Sequence, residues 1–252
     1  MIRLKSRQDI EKLVEGGKIL AEVLEALVDE VKVGRTSREL DAIARRLIWE
    51  QGCVPSFLNY APGGYAPFPA ALCVSVNDVV VHGLPSDEVF REGDLVGLDL
   101  GLIYQNKYFL DSARSVGVGH INKTTQQLLK VTERALDRGI ESAQIGHRIG
   151  DISHAVQEYA ERNGFEVVRQ LVGHGVGFAV HEPPQVPNFG KVGTGEMLKE
   201  GLVIAIEPMI SIGDPDIETG EDGWSVRVKT GNLTAHFEHT IAITSEGPRV
   251  LT

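Results

Sequence analysis

Hydrophobic and polar residues alternate with two different periods along this chain, and the changes of period divide it into elements. Apolar positions recur every three to four residues at about 6–31, 37–51, 122–140 and 149–163, the pattern of helices with one buried face. Thr36 and Glu39 stand three residues apart at the head of the second stretch, the spacing of a capping box. Denser apolar or alternating runs at about 71–76, 94–104, 108–118, 166–172, 202–211 and 237–244 predict strands. Between them, "PSFLNYAPGGYAPFPA" and "ISIGDPDIETGEDG" carry the proline, glycine and polar residues of loops. The mixture predicts an α+β protein.

The pattern occurs twice. "VGRTSRELDAIARRLIWEQG" from Val33 aligns without a gap on "IGHRIGDISHAVQEYAERNG" from Ile145, setting Gly34 on Gly146 and Gly52 on Gly164, an offset of 112 in both cases. The following strands repeat as well. "GDLVGLDLG" from Gly93 matches "GLVIAIEPM" from Gly201 and sets Asp99 on Glu207; "FLDSARSVGV" from Phe109 matches "HFEHTIAITS" from His236 and sets Asp111 on Glu238. A duplicated unit with a pseudo-twofold axis is expected, with all 252 residues forming one catalytic domain of two related halves.

The duplication bears on a conflict in "GLVIAIEPMI". After an unbroken apolar run the chain places a carboxylate, Glu207, and then a proline that ends sheet hydrogen bonding. An ionised acid in an apolar layer is costly unless it is neutralised, paired or bound to a metal. Two halves that each contribute two acids on successive strands would bring four carboxylates together, and hard divalent cations between them remove the repulsion. An imidazole would complete such a site, and His82, His174, His181 and His239 are the candidates. His174 in "GHGVG" stands out because its glycines allow close backbone approach. His239 is expected on the opposite strand face from Glu238, in a structural role.

Composition narrows the function. A net charge of -10 without a Lys/Arg cluster speaks against a nucleic-acid or anionic-membrane surface. The two cysteines, Cys53 and Cys73, lack metal-site spacing and suggest no disulfide framework. No run has the length of a membrane span, and the charged, amphipathic start is unlike a signal peptide, so a cytoplasmic protein is expected. HExxH, GxSxG and Walker motifs are absent from the sequence, and the acids lie on strands rather than on the facing helices of a di-iron bundle. Hydrolysis by water activated between two metal ions is the chemistry that remains.

With these residues assembled, the chain resembles the type I methionine aminopeptidases of short bacterial form, in "CVSVNDVVVHGLP", "GDLVGLDLG", "LDSARSVGVG", "LVGHGVG", "VHEPPQVPNFG", "IAIEPMI", "DGWSV" and "FEHTIAIT". The resemblance covers nearly the whole chain. It implies the pita-bread fold, an antiparallel sheet core with pseudo-twofold symmetry and helices on its outer face. It also implies five metal ligands, Asp99, Asp111, His174, Glu207 and Glu238, holding two divalent ions, with Co, Mn, Fe and Zn all compatible. Asp111 and Glu238 would be shared by the two ions.

By the same resemblance Glu207 is a proton shuttle, His181 bonds the scissile carbonyl or developing oxyanion, and His82 contacts the peptide nitrogen. Tyr65, Phe68, Cys73 and Trp224 would form the pocket for the methionine side chain. A monovalent cation would lie near Asn77, Val79 and Thr234. The implied substrates are the N-termini of nascent polypeptides with a small second residue; a monomer is expected, and transient association with the ribosome would suit such substrates. Two other readings share the fold: an Xaa-Pro peptidase, and a catalytically dead binding protein that would have lost ligands.

Overall fold

The structure, a computed structural model, describes residues 2–64 and 66–252. Four helices form where the apolar period predicts them: α1 (Arg7–Val28), α2 (Ser37–Glu50), α3 (Lys123–Ser142) and α4 (Ile149–Arg162). Thr36 caps α2 in a reciprocal box with Glu39, and Ser6 caps α1 in the same way with Asp9. Both ends of α4 lie 112 residues beyond those of α2. The glycines before these helices take matching left-handed backbone angles, φ 85° at Gly34 and 84° at Gly146. Among the described residues no helix is long and apolar enough to cross a membrane.

The main sheet contains β1 (Val54–Pro55), β2 (Leu72–Val76), β4 (Leu95–Tyr104), β5 (Tyr108–Gly117), β7 (Val172–Gly175), β8 (Glu182–Pro187), β9 (Val203–Ile206), β14 (Glu238–Thr244) and β15 (Gly247–Val250). Its path runs β1-β4-β5-β14-β9-β7-β8, with β2 beside β4 and β15 beside β14. All the pairings are antiparallel. Two three-stranded sheets complete the fold. One joins β13 (Thr234–His236), β10 (Met209–Ser211) and β6 (Glu166–Val167); the other joins β11 (Ile217–Thr219), β12 (Val226–Val228) and β3 (Val79–Val81).

Strand periodicity determines which face the helices cover. On β4, Leu98, Leu100 and Leu102 join the buried core under α1 and α2; on β9 and β14, Ile204, Ile206, Ile241 and Ile243 join the core under α3 and α4. Each fully buried leucine or isoleucine contributes about 2 kcal/mol by leaving water. Asp99 and Glu238, of opposite parity to these leucines and isoleucines, lie on the other face of the sheet.

Two strand predictions are corrected. The run 202–211 is two strands, β9 and β10, broken at Glu207 and Pro208 and belonging to different sheets. Proline has no N–H for the ladder, so the chain changes sheets there. Its neighbour does likewise: β13 ends at His236 and β14 begins at Glu238, with Met209 opposite His236 on one side of the break and Ile206 opposite His239 on the other. The run 166–172 is strand only at its ends, because the chain bends at Arg169 and Gln170 between β6 and β7.

Candidate metal centre and cleft

The acids meet because the register places them in one row. Cys73 on β2 opposes Asp99 on β4, Asp99 opposes Ala113 on β5, and Ala113 opposes Glu238 on β14. Directly opposed residues share a sheet face, and Asp111, two residues before Ala113, shares it as well. Ala113 therefore sets only a methyl group between Asp99 and Glu238 in the row. Glu207 follows the last residue of β9 beside β14, and its carbonyl accepts a hydrogen bond from Asn188 Nδ2 at 3.1 Å.

His174 on β7 reaches the same place. Its Nε2 lies 3.5 Å from Glu207 Oε1 and 3.9 Å from Asp111 Oδ2, while its Nδ1 lies 2.9 Å from the carbonyl oxygen of Gly175. Candidate ligand atoms of Asp111, His174 and Glu238 all lie within 4.8 Å of one another. The glycines flanking His174 answer to strand packing: a Cβ on Gly173 would lie 2.5 Å from the Ala205 carbonyl oxygen, and one on Gly175 would lie 2.4 Å from that of Pro183. Their role is to bring β7 close to its neighbours, so the close backbone approach expected of them is made to adjacent strands rather than to whatever the imidazole holds.

Burial sets the charge state of these groups. Desolvation raises all four carboxyls, Asp99 to about 7, and the acids raise one another further at Asp111, Glu207 and Glu238. Burial lowers His174 to about 3, with His181 adding to the effect. A neutral imidazole beside acids that resist ionising together is a donor set awaiting positive charge. Asp99 Oδ1, Asp111 Oδ1 and Glu238 Oε1 are buried without a hydrogen-bond partner. Such unpaired atoms are costly in a protein interior, and oxygen-preferring divalent ions with one or two nitrogen donors fit them.

The row forms one wall of a cleft of about 530 Å³. Phe57, Phe68, Cys73, Val180 and Trp224 are buried together in its lining, with the Phe68 and Trp224 rings edge to face at 5.1 Å. Burial and the nearby acids push the Cys73 thiol well up, so it is a small neutral group. Phe57 and Val180 add to the pocket expected from Phe68, Cys73 and Trp224; Tyr65 lies outside the described residues. His82 borders the cleft at a positive φ of 59°, its ring 6.1 Å from that of Trp224, and burial lowers it to about 4. His181 packs edge to face on His174 at 4.4 Å.

Two residues, one lining the cleft and one buried behind Glu207, escape a reading by sequence pattern. Tyr60 places its hydroxyl 2.7 Å from His181 Nδ1. His236 is buried on β13 with Nε2 3.7 Å from Glu207 Oε2. Its signal lay in the duplication, where an imidazole aligns with Phe109. His239 turns to the helix side, its Nδ1 3.1 Å from Thr252 Oγ1. Away from the cleft, the carbonyls of Asn77 and Val79 accept from Thr234 Oγ1 at 3.2 and 3.1 Å.

A mixed sheet-and-helix fold around a buried acid and imidazole cluster is the architecture of a metal-dependent hydrolase, and the chain belongs to metallopeptidase family M24, matched over residues 11–245. Within the family it is similar to methionine aminopeptidases. It is 45% identical over 252 residues to that of Clostridium perfringens, covering 100% of this chain and 99% of the relative. The crystal structure of methionine aminopeptidase from Thermotoga maritima superposes with a TM-score of 0.95 at 42% identity, covering 100% and 99% of the two chains. The prolidase of Pyrococcus horikoshii matches less well, with a TM-score of 0.78 at 26% identity, and this chain covers only 63% of it.

Proposed function

We propose that this chain is a metal-dependent methionine aminopeptidase that hydrolyses the first peptide bond of chains beginning with methionine and a small second residue. The observation that carries the reading is the juxtaposition, in one cleft, of the buried acids and His174 with an apolar pocket containing Phe68, Cys73 and Trp224. The full-length similarity to methionine aminopeptidases supports the same substrate. All 252 residues act as one catalytic domain of two pseudo-symmetric halves, since the cleft draws on both.

Two divalent ions are the proposed cofactors. Asp99, Asp111, His174, Glu207 and Glu238 are the residues that would hold them. When bound, such ions supply Lewis acidity and a water that ionises near neutral pH. The chain's own residues then position the substrate and move protons. The apolar pocket takes the unbranched thioether side chain, which adapts to a wall of rings and a thiol. Glu207, buried directly after β9, takes a proton from the attacking water and returns it to the leaving amine. His181 donates to the carbonyl oxygen as charge develops on it. His82, neutral through burial, contacts the peptide nitrogen.

The oxygens gathered at Asn77, Val79 and Thr234 suit a monovalent cation, which we include in the reading. Because the substrates are newly made N-termini, we further propose a cytoplasmic monomer meeting nascent chains at the ribosome.

The test is amino-acid release by metal-reconstituted protein from Met-Ala-Ser, Met-Lys-Ser, Leu-Ala-Ser and Ala-Pro-Ser peptides, with a chelator control. Chelator-sensitive cleavage of Met-Ala-Ser alone is expected. Cleavage of Ala-Pro-Ser instead would place the chain with the Xaa-Pro peptidases, and no cleavage with any of several metals would leave a binding role.

A further inference from the structure

The segment before α1 carries a lysine almost sealed from water. Lys5 Nζ, on a side chain 1% exposed, lies 2.9 Å from Glu182 Oε2 and donates to the Arg3 carbonyl at 3.2 Å. The other Glu182 oxygen accepts the backbone N–H groups of Phe178 and Ala179 at 2.5 and 3.0 Å, and the Arg3 guanidinium approaches it at 3.2 Å. The carboxylate thus closes the loop 178–182 upon itself, and Lys5 neutralises it. The residues held inside that closure are Val180, in the apolar pocket, and His181, which immediately precedes Glu182.

Lys5 also connects this loop to the strands bearing the acids. Its backbone N–H donates to the Gly201 carbonyl at 2.7 Å, just before β9, which Glu207 follows. Gly177, at the head of the loop, packs so closely that a Cβ there would lie 2.5 Å from Lys5 Cε, and its carbonyl accepts from Phe109 on β5, two residues before Asp111. The Phe178 ring lies under three cations, Arg3, Lys5 and Lys107, at 5.3, 5.1 and 5.3 Å. A buried ion pair is a poor source of net stability compared with apolar packing, whereas its fixed, directional bonds orient what they join.

We propose that Lys5 is a positioning residue for peptide cleavage: its buried ion pair with Glu182 fixes the loop that presents His181 to the scissile carbonyl. The proposal rests on the role given to His181 above. Lys5 touches neither substrate nor the metal-centre acids, so its loss should act on the orientation of His181 and leave metal binding intact.

The experiment is a double-mutant cycle of K5M and H181A in metal-loaded full-length protein, with K5R as the conservative variant. K5M should lower kcat about ten- to a hundredfold while changing KM and metal affinity less than about threefold, because small displacements of a catalytic group act on the transition state. K5R should recover most of the rate. In the H181A background K5M should cost less than about twofold, since groups acting through one another are not additive. Additive losses, or K5M at the wild-type rate, would overturn the proposal. Should K5M fail to fold, K5M/E182Q removes both charges together, and wild-type kcat in that protein would overturn it equally. H181A at the wild-type rate would strike down the role of His181 itself, whereas slow H181A with fast K5M would remove only that of Lys5.

Discussion

The Tyr60 hydroxyl and His181 Nδ1 are 2.7 Å apart, which ties the loop after β1 to the imidazole beside the acid cluster. Tyr60 is itself held in place, exchanging backbone hydrogen bonds with Phe57 and Phe68 at 2.9 Å. Burial raises the phenol and lowers the imidazole, so both are neutral near pH 7. With the phenol donating to Nδ1, the imidazole keeps its proton on Nε2 as a donor for developing negative charge. Tyr60→Phe removes that bond, and kcat should fall about fivefold, the worth of one ordinary hydrogen bond, with KM nearly unchanged. Steady-state kinetics on Met-Ala-Ser checks this; a rise in KM alone would mean that Tyr60 serves binding.

Glu207→Gln keeps the shape of the side chain but removes its ability to carry a proton. Turnover in metal-saturated protein should drop by about a hundredfold or more, the usual contribution of a general base. The fold should survive, because the change also removes a carboxyl from a crowded buried cluster. Kinetics with parallel circular dichroism checks both expectations, and near-normal activity would refute the assignment.

The acid cluster links pH, metal and stability. Asp99 titrates at about 7 in the fold, above the ordinary value of about 3.9 for an unfolded chain. A raised carboxyl favours the fold below its unfolded pKa, and this stability is lost as pH rises through the folded value. His82 and His174, lowered to about 4 and about 3, act in the opposite sense: their contribution is present above about 6.5 and is lost as pH falls through the folded values. Metal-free protein should therefore be most stable in mildly acidic solution and lose stability on going to pH 8. Divalent metal should raise Tm most at pH 8 and release protons on binding. Thermal melts across pH and calorimetry in two buffers of different ionisation enthalpy check this. A metal effect on Tm independent of pH would contradict it.

Trp224 closes the apolar pocket edge to face against Phe68. Trp224→Ala should weaken discrimination between Met-Ala-Ser and Leu-Ala-Ser by about tenfold or more, since a lost aromatic wall relaxes the fit by a few kcal/mol at most. Competition between the two peptides measures it directly. Unchanged selectivity would move specificity to other residues of the cleft.

The elements with their own local signal were legible in the sequence. The helices α2 and α4 show the same apolar period 112 residues apart, and the capping pair Thr36 and Glu39 marks the start of the first. Glu207 stood out because an acid followed by proline contradicts the apolar run before it, and the duplication supplied Asp99, Asp111 and Glu238 as its companions. The break of that run into β9 and β10 was hidden, because both strands are equally apolar and only their partners differ.

The chain's sequence by itself therefore determined the helices, the repeat and the residue types that carry the chemistry, since each leaves a period or an exception to a period within a few dozen residues. Only the tertiary structure decided that Cys73, Asp99, Ala113 and Glu238 form one row across the sheet, that His236 lies against Glu207, and that Tyr60 and Lys5 reach the loop of His181. Lys5 and Glu182 are 177 positions apart. Contacts of that range depend on sheet register and on how the segments pack, and no local periodicity encodes them.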